Sequence, residues 1–139
     1  MTLAETLAAL HAASFPRGWS AHEFEALLAN PTTHAVTSPH GFALMQIIAP
    51  EAELITISIL PTARGQGHGR ALLGQAIQAA QKHGATTMYL EVEADNTAAL
   101  ALYTAAGFET TGRRAGYYAY PDQDAVDAIT MACALQSGT

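Results

Sequence analysis

A chain of 139 residues, half of them hydrophobic, is long enough for one domain and apolar enough for a packed core, which excludes a disordered chain. Twelve Asp and Glu against six Lys and Arg leave a net charge of -6. That balance excludes general nucleic-acid binding, which needs clustered basic residues, and suits a cationic partner.

In chain order, Thr2 and Glu5 form a predicted capping box for a helix whose stripe is Leu3, Leu7 and Leu10, running to about Ala13. Residues 14–19 read as a loop through Pro16 and Gly18. Phe15 and Trp19 there have two readings, a wall of a substrate site or part of the core. Ser20 and Glu23 form a second capping box, and the helix it opens ends at Asn30-Pro31. A short strand at 34–37, a turn at Ser38-Pro39-His40-Gly41, a strand at 42–48 and a turn at 49–52 imply antiparallel pairing. The strand at 54–60 carries Ile55, Ile57 and Ile59 at period two, which places them on one face.

Next comes Arg64-Gly65-Gln66-Gly67-His68-Gly69-Arg70, and then Leu72, Leu73, Ala76, Ile77 and Ala80 at helical spacing. Helix-opening amides have no internal acceptor, and glycine lets a ligand approach the backbone, so this turn reads as a phosphate site flanked by Arg64 and Arg70. A P-loop is excluded, because Gly69 is followed by Arg70-Ala71 rather than Lys-Ser/Thr. A dinucleotide fingerprint is excluded too: position 70 is arginine, and no ribose-binding acid follows about twenty residues on. Gly84 ends the helix. A strand at 87–92, a helix at 97–106 opened by Asp95-Asn96 and closed by Gly107, and a strand at 108–113 follow. Residues 115–124 read as a loop, 128–135 as the last strand, and 136–139 as a frayed tail.

Cys133 is the one cysteine, which excludes an internal disulfide and a thiolate metal cluster; its apolar run makes it a buried thiol. No apolar run reaches the ~18–20 residues of a membrane span. No targeting segment opens the sequence, so a cytoplasmic protein without a membrane partner is expected. His22-Glu23 lacks the second histidine of a zinc helix, and no metal is expected. Glu93, Asp95, Asp122 and Asp124 read either as attractors of a cationic peptide or as solvated loop charge.

The pattern Arg64-x-x-Gly67-x-Gly69, entered from a strand ending before Pro61, resembles the pyrophosphate loop of the GNAT family of N-acetyltransferases. Asn96-x-x-Ala99-x-x-x-Tyr103-x-x-x-Gly107-Phe108 and Leu90-Glu91-Val92 resemble two further segments of that family. With Phe15-Pro16, Trp19-Ser20, Arg113-Arg114, Tyr117-Tyr118 and residues 127–131 the likeness narrows to the RimI type, which acetylates the N-terminal alanine of a ribosomal protein. The departures are a short N-terminus without the usual first strand, Gly18 inside Pro-Trp-Ser, and Gly116 between the paired arginines and tyrosines.

The resemblance implies a single N-acetyltransferase domain over 1–139, with an α/β acyl-CoA N-acyltransferase fold. That is a mixed, mostly antiparallel sheet with helices on both faces. It implies acetyl-CoA as co-substrate, entering where two central strands splay. The cofactor contacts would be Ile57, Ser58, Ile59, Arg64, Gly65, Gln66, Gly67, His68, Gly69, Arg70, Asn96 and Tyr103. It implies direct transfer to an amine, with Glu91 as base, Tyr103 as acid and the Ile59 amide at the oxyanion. The expected partner is a protein N-terminus, ribosomal or similar, with the enzyme a monomer or weak dimer. Small-amine acetylation and a non-catalytic CoA-binding subunit are the alternatives.

Overall fold

The computed structural model describes residues 2–12 and 19–135. Phe15, Pro16, Gly18 and the tail at 136–139 lie outside the described residues. Among those described, no strand precedes the first helix, and no helix is long and apolar enough to cross a membrane.

The elements run α1 (Leu3–Ala12), α2 (Ala21–Ala29), β1 (Thr33–Ser38), β2 (Gly41–Ile48), β3 (Glu51–Ile59), α3 (His68–Lys82), β4 (Thr87–Glu93), α4 (Thr97–Ala105), β5 (Glu109–Tyr120) and β6 (Gln123–Ala134). Both capping boxes form. Thr2 Oγ1 accepts from the Glu5 amide at 3.1 Å, and Ser20 Oγ accepts from the Glu23 amide at 3.1 Å. Each such cap is worth about 1 kcal/mol of helix stability. Gly84 and Gly107 follow their helices with φ of 90° and 101°.

The strands form one sheet in the order β1-β2-β3-β4-β6-β5, antiparallel at every pair except β3–β4. On one face α1 and α2 bury Leu7 and Phe24 against Phe42 and Leu44. On the other, α3 buries Leu72, Leu73, Ala76 and Ala80 against Met45, Leu54, Met88 and Leu90, with Tyr103 and Phe108 joining from the α4 side. Truncating a leucine of this second core to alanine costs about 2–5 kcal/mol. Cys133 is buried at its edge, where loss of solvent, with Glu109 nearby, pushes its thiol pKa up.

Several boundaries differ from the expectations. β3 starts at Glu51, leaving Ala49-Pro50 as the turn, and it stops at Ile59. A single 3₁₀ turn over Pro61–Ala63 follows, which the proline favours at its first position. The three isoleucines do not share a face. Opposite Leu44 and Met45 stand Thr56 and Leu54, so Ile55 is the extra residue of a bulge. The bulge turns Ile55 toward α1 and α2, while Leu54, Ile57 and Ile59 pack on the α3 side. The stretch 115–124 is a hairpin, not a loop. β5 and β6 run twelve residues each, with Tyr118 opposite Val126 and Tyr120 opposite Gln123. Tyrosines and valine suit a pleated ladder; of the Pro and Asp that suggested a loop, Pro121 and Asp122 form the tip and Asp124 lies in β6.

Candidate active site

The glycine-rich turn is built from backbone. Gly65 and Gly67 have φ of 77° and 85°, where side chains are strained. Nothing lies within 4 Å of where a Cβ would stand on either, so the turn is open on that side. Gly67 is the N-cap of α3, and the amides of His68, Gly69 and Arg70 begin the helix, where the dipole places partial positive charge. Gly69 packs beside α4 and β3: a Cβ there would sit 3.5 Å from Leu102 Cδ2 and 3.9 Å from Ile59 Cγ1. An open turn lined by helix-opening amides is the kind of place where an anion such as a diphosphate can be held.

The flanking charges differ in role. Arg64 Nε donates to the Ile59 carbonyl at 3.2 Å, tying the turn back to β3, whereas Arg70 is exposed. The His68 ring stacks on His40 from the β1–β2 turn, centroids 3.9 Å apart.

Beside this turn the sheet opens. β3 and β4 pair only at Glu51–Thr87, Ala52–Met88 and Glu53–Tyr89, although both strands continue. The Leu60 amide donates to the His40 carbonyl, in the turn that leads into β2, at 2.8 Å. Antiparallel alternation therefore turns the Ile59 amide toward the opening. Ser58 is placed differently from its neighbours. It is 3% exposed, and its hydroxyl donates to the Leu10 carbonyl at 3.3 Å. Its side chain therefore serves the α1 contact, and only its backbone runs along the opening.

Glu91 stands two residues beyond the last paired residue of β4, on the face opposite the α3 core. Its Oε1 lies 3.2 Å from Arg114 Nη2. The cavity it borders, about 330 Å³, is also lined by Gln46, Glu51, Glu53, Tyr89 and Thr130. Tyr103 comes from α4 and is 7% exposed. Burial, with Tyr118 nearby, pushes its phenol up to about 12, so it carries its proton at neutral pH. Tyr118 is itself raised, first by loss of solvent and then by Glu91 and Glu93, and so stands in electrostatic reach of both expected catalytic groups. Asn96 is exposed and occupied as a helix cap, its Oδ1 accepting from the Ala99 amide at 3.1 Å.

Other expected residues are absorbed by packing. Trp19 stacks on His11 at 4.7 Å, and its amide donates to His11 Nδ1 at 3.0 Å. Burial lowers the pKa of that histidine, and Glu23 opposes the effect weakly. Trp19 thus packs with the α1–α2 core. Glu93 accepts a short hydrogen bond from Tyr120, which pushes that phenol up to about 12.

The sequence reading assigned no role to Arg114, Tyr118, Gly116 or Asp127. Between the Arg114–Ala128 and Tyr118–Val126 pairs β5 spends four residues where β6 spends two. Gly116 takes φ 62° in that bulge. Asp127 pins it, accepting from the Gly116 amide at 2.8 Å and from Arg113 Nε at 2.6 Å. These two bonds, the amide first, hold the Asp127 carboxyl below the usual range. The available signal was a glycine between paired arginines and paired tyrosines, with an aspartate opposite.

Comparison with known proteins agrees with this geometry. The sequence profile of the acetyltransferase (GNAT) family matches residues 4–108. The [ribosomal protein bS18]-alanine N-acetyltransferase of Haemophilus influenzae is 41% identical over 95 residues, 68% of this chain and 64% of that protein. The enzyme of the same description from Escherichia coli K12 is 44% identical over 92 residues, 66% and 62% of the two chains. The match thus spans under two thirds of either relative. The crystal structure of the ribosomal-protein-S18-alanine N-acetyltransferase from Escherichia coli superposes with a TM-score of 0.83 at 31% identity, covering 95% of this chain and 87% of that one.

Proposed function

The chain belongs to the acetyltransferase (GNAT) family, and from that premise we propose that it moves an acetyl group from acetyl-CoA to the α-amine of a protein N-terminus, a ribosomal protein's first among them, in the cytoplasm. The observation that carries this reading is the opening between β3 and β4, with the glycine turn beside it and Glu91 at its apex. Its relatives' named activity on the alanine of bS18 supports the choice of amine.

In this reading the amides of residues 67–70 hold the diphosphate, and acetyl-CoA supplies an activated thioester. The incoming ammonium loses one proton to Glu91, directly or through water, and then to solvent. The neutral nitrogen attacks the carbonyl carbon, and the Ile59 amide faces the developing oxyanion. The C–N bond forms and the C–S bond breaks. Tyr103, fully protonated, donates to the departing sulfur, and the second nitrogen proton reaches the thiol through it. No covalent enzyme intermediate is needed, so Cys133 stays outside the chemistry.

The test is acetyl transfer from acetyl-CoA to Ala-initiated peptides, run against polyamines and aminoglycosides. Peptide turnover is expected, and turnover of the small amines alone would replace the substrate class. Glu91→Gln and Tyr103→Phe should each lower kcat by about 10²–10⁴-fold, with CoA affinity unchanged in Glu91→Gln. Unchanged turnover in both would remove the role assignment.

A further inference from the structure

Arg114 has no part in the reaction as written, yet the hairpin delivers it to the proposed base. The delivery is specific. Arg114, Ala128 and Glu93 are in register across β5, β6 and β4, and Thr130 is in register with Glu91. Directly opposite residues share a face of a sheet. Ala128 has only a methyl group, so the guanidinium crosses β6 over it and meets Glu91 Oε1 at 3.2 Å. The Tyr117 ring backs it, 5.2 Å from the guanidinium carbon. The bulge at Gly116, fixed by Asp127, places Tyr117 and Tyr118 beside this contact. The pair is half open to solvent, with side chains 56% and 29% exposed, so it contributes little to folding.

Its effect on chemistry is different. An N-terminal amine has an unperturbed pKa of about 7.7–8.0 and enters mostly as the ammonium ion at neutral pH. A carboxylate beside it favours the charged, unreactive form. The described groups facing Glu91 add to that bias: Glu93 from its own strand, and Glu51 and Glu53 from β3 across the cavity. Tyr89 lines the same cavity and Tyr118 stands nearby, and Arg114 is the cation among the described groups facing it. A guanidinium cannot be deprotonated, so it opposes the carboxylates at every working pH.

We infer that Arg114 is a positioning residue of the transfer reaction: it holds the Glu91 carboxylate and offsets its charge, so that the bound amine gives up its proton near neutral pH. The proton that leaves is the one passed through Glu91 to solvent, and no further reactant is needed. The inference rests on the proposed role of Glu91.

The experiment measures kcat against pH 6 to 9.5 with acetyl-CoA and an Ala-initiated hexapeptide, because kcat reports groups in the bound complex. Wild type, Arg114→Gln, Arg114→Lys and Glu91→Gln are compared. Arg114→Gln should move the acid limb up by about half to one pH unit, a roughly three- to tenfold loss at pH 6.5 that vanishes at pH 9. Arg114→Lys, which keeps the charge, should restore most of the limb. An equal loss at every pH, or an unmoved limb, overturns the inference while a dead Glu91→Gln keeps the base. An active Glu91→Gln overturns the base reading and the inference with it.

Discussion

The glycine turn and the β5–β6 hairpin form the two ends of the candidate site, and they are made of different material. The turn is backbone: amides at the start of α3, shaped by Gly65 and Gly67 at positive φ. The hairpin end is side chains, with Glu91, Arg114 and Tyr118 assembled across three strands by register and one bulge. A site made of amides depends on conformation and survives most side-chain changes nearby. One made of side chains depends on which residue faces which, and a single slip along a strand disperses it. Substitutions should therefore act oppositely at the two ends.

The largest expected effect at the turn is Gly67→Ala. No atom obstructs the new methyl, so the whole effect is the strain of φ 85°. That strain is about 1–2 kcal/mol, and CoA affinity should fall roughly tenfold by calorimetry. Gly69→Ala is the matched control. Its backbone is helical and its nearest neighbour would be an ordinary 3.5 Å away, so thermal stability should hold or rise. Equal losses of stability in the two variants would break the comparison.

At the hairpin end Asp127→Asn should leave CoA binding alone and lower peptide turnover, because the Gly116 bulge loses its anchor. Asp127 has a depressed folded pKa, so its stabilisation is present above the unfolded value near 4 and lost as pH falls through the folded one. The variant should melt below wild type at pH 7 and together with it once the pH falls below the folded value.

The smallest effect belongs to the α1–α2 core. His11 has a lowered folded pKa, so between that value and the unfolded 6.5 the unfolded chain binds more protons and stability falls on acidification. Trp19, the sole tryptophan, stacks on His11, so its emission should change with a midpoint below pH 6.5. A midpoint at or above 6.5 would contradict the buried neutral ring.

The same contrast explains what could be read from the sequence. The turn was legible because positive φ demands glycine and a helix start announces itself by period and caps. Four helices, the antiparallel hairpin of β1 and β2, and the strand and helix that carry Glu91 and Tyr103 were legible for the same local reasons. The bulge at Ile55 was not: alternation counts residues, and a bulge adds one without altering the pattern. The hairpin at 115–124 was hidden by Pro121 and Asp122 at its tip, and Arg114's reach to Glu91, two strands away, depends on a methyl at Ala128 on the strand between. Ser58 looked available because the tertiary contact that uses it comes from α1, 48 residues away in sequence.

The short pairing of β3 with β4 also bears on how the molecule comes apart. Only three residue pairs stitch one half-sheet, β1 to β3, to the other, β4 to β6. Beyond them, the main-chain groups that face the gap are not paired strand to strand. A guest with amide groups of its own, wedged there, acts as the absent rungs. The amide hydrogen of Ile57, which alternation points into the gap, should then exchange far more slowly in its presence, and the two halves should melt as one.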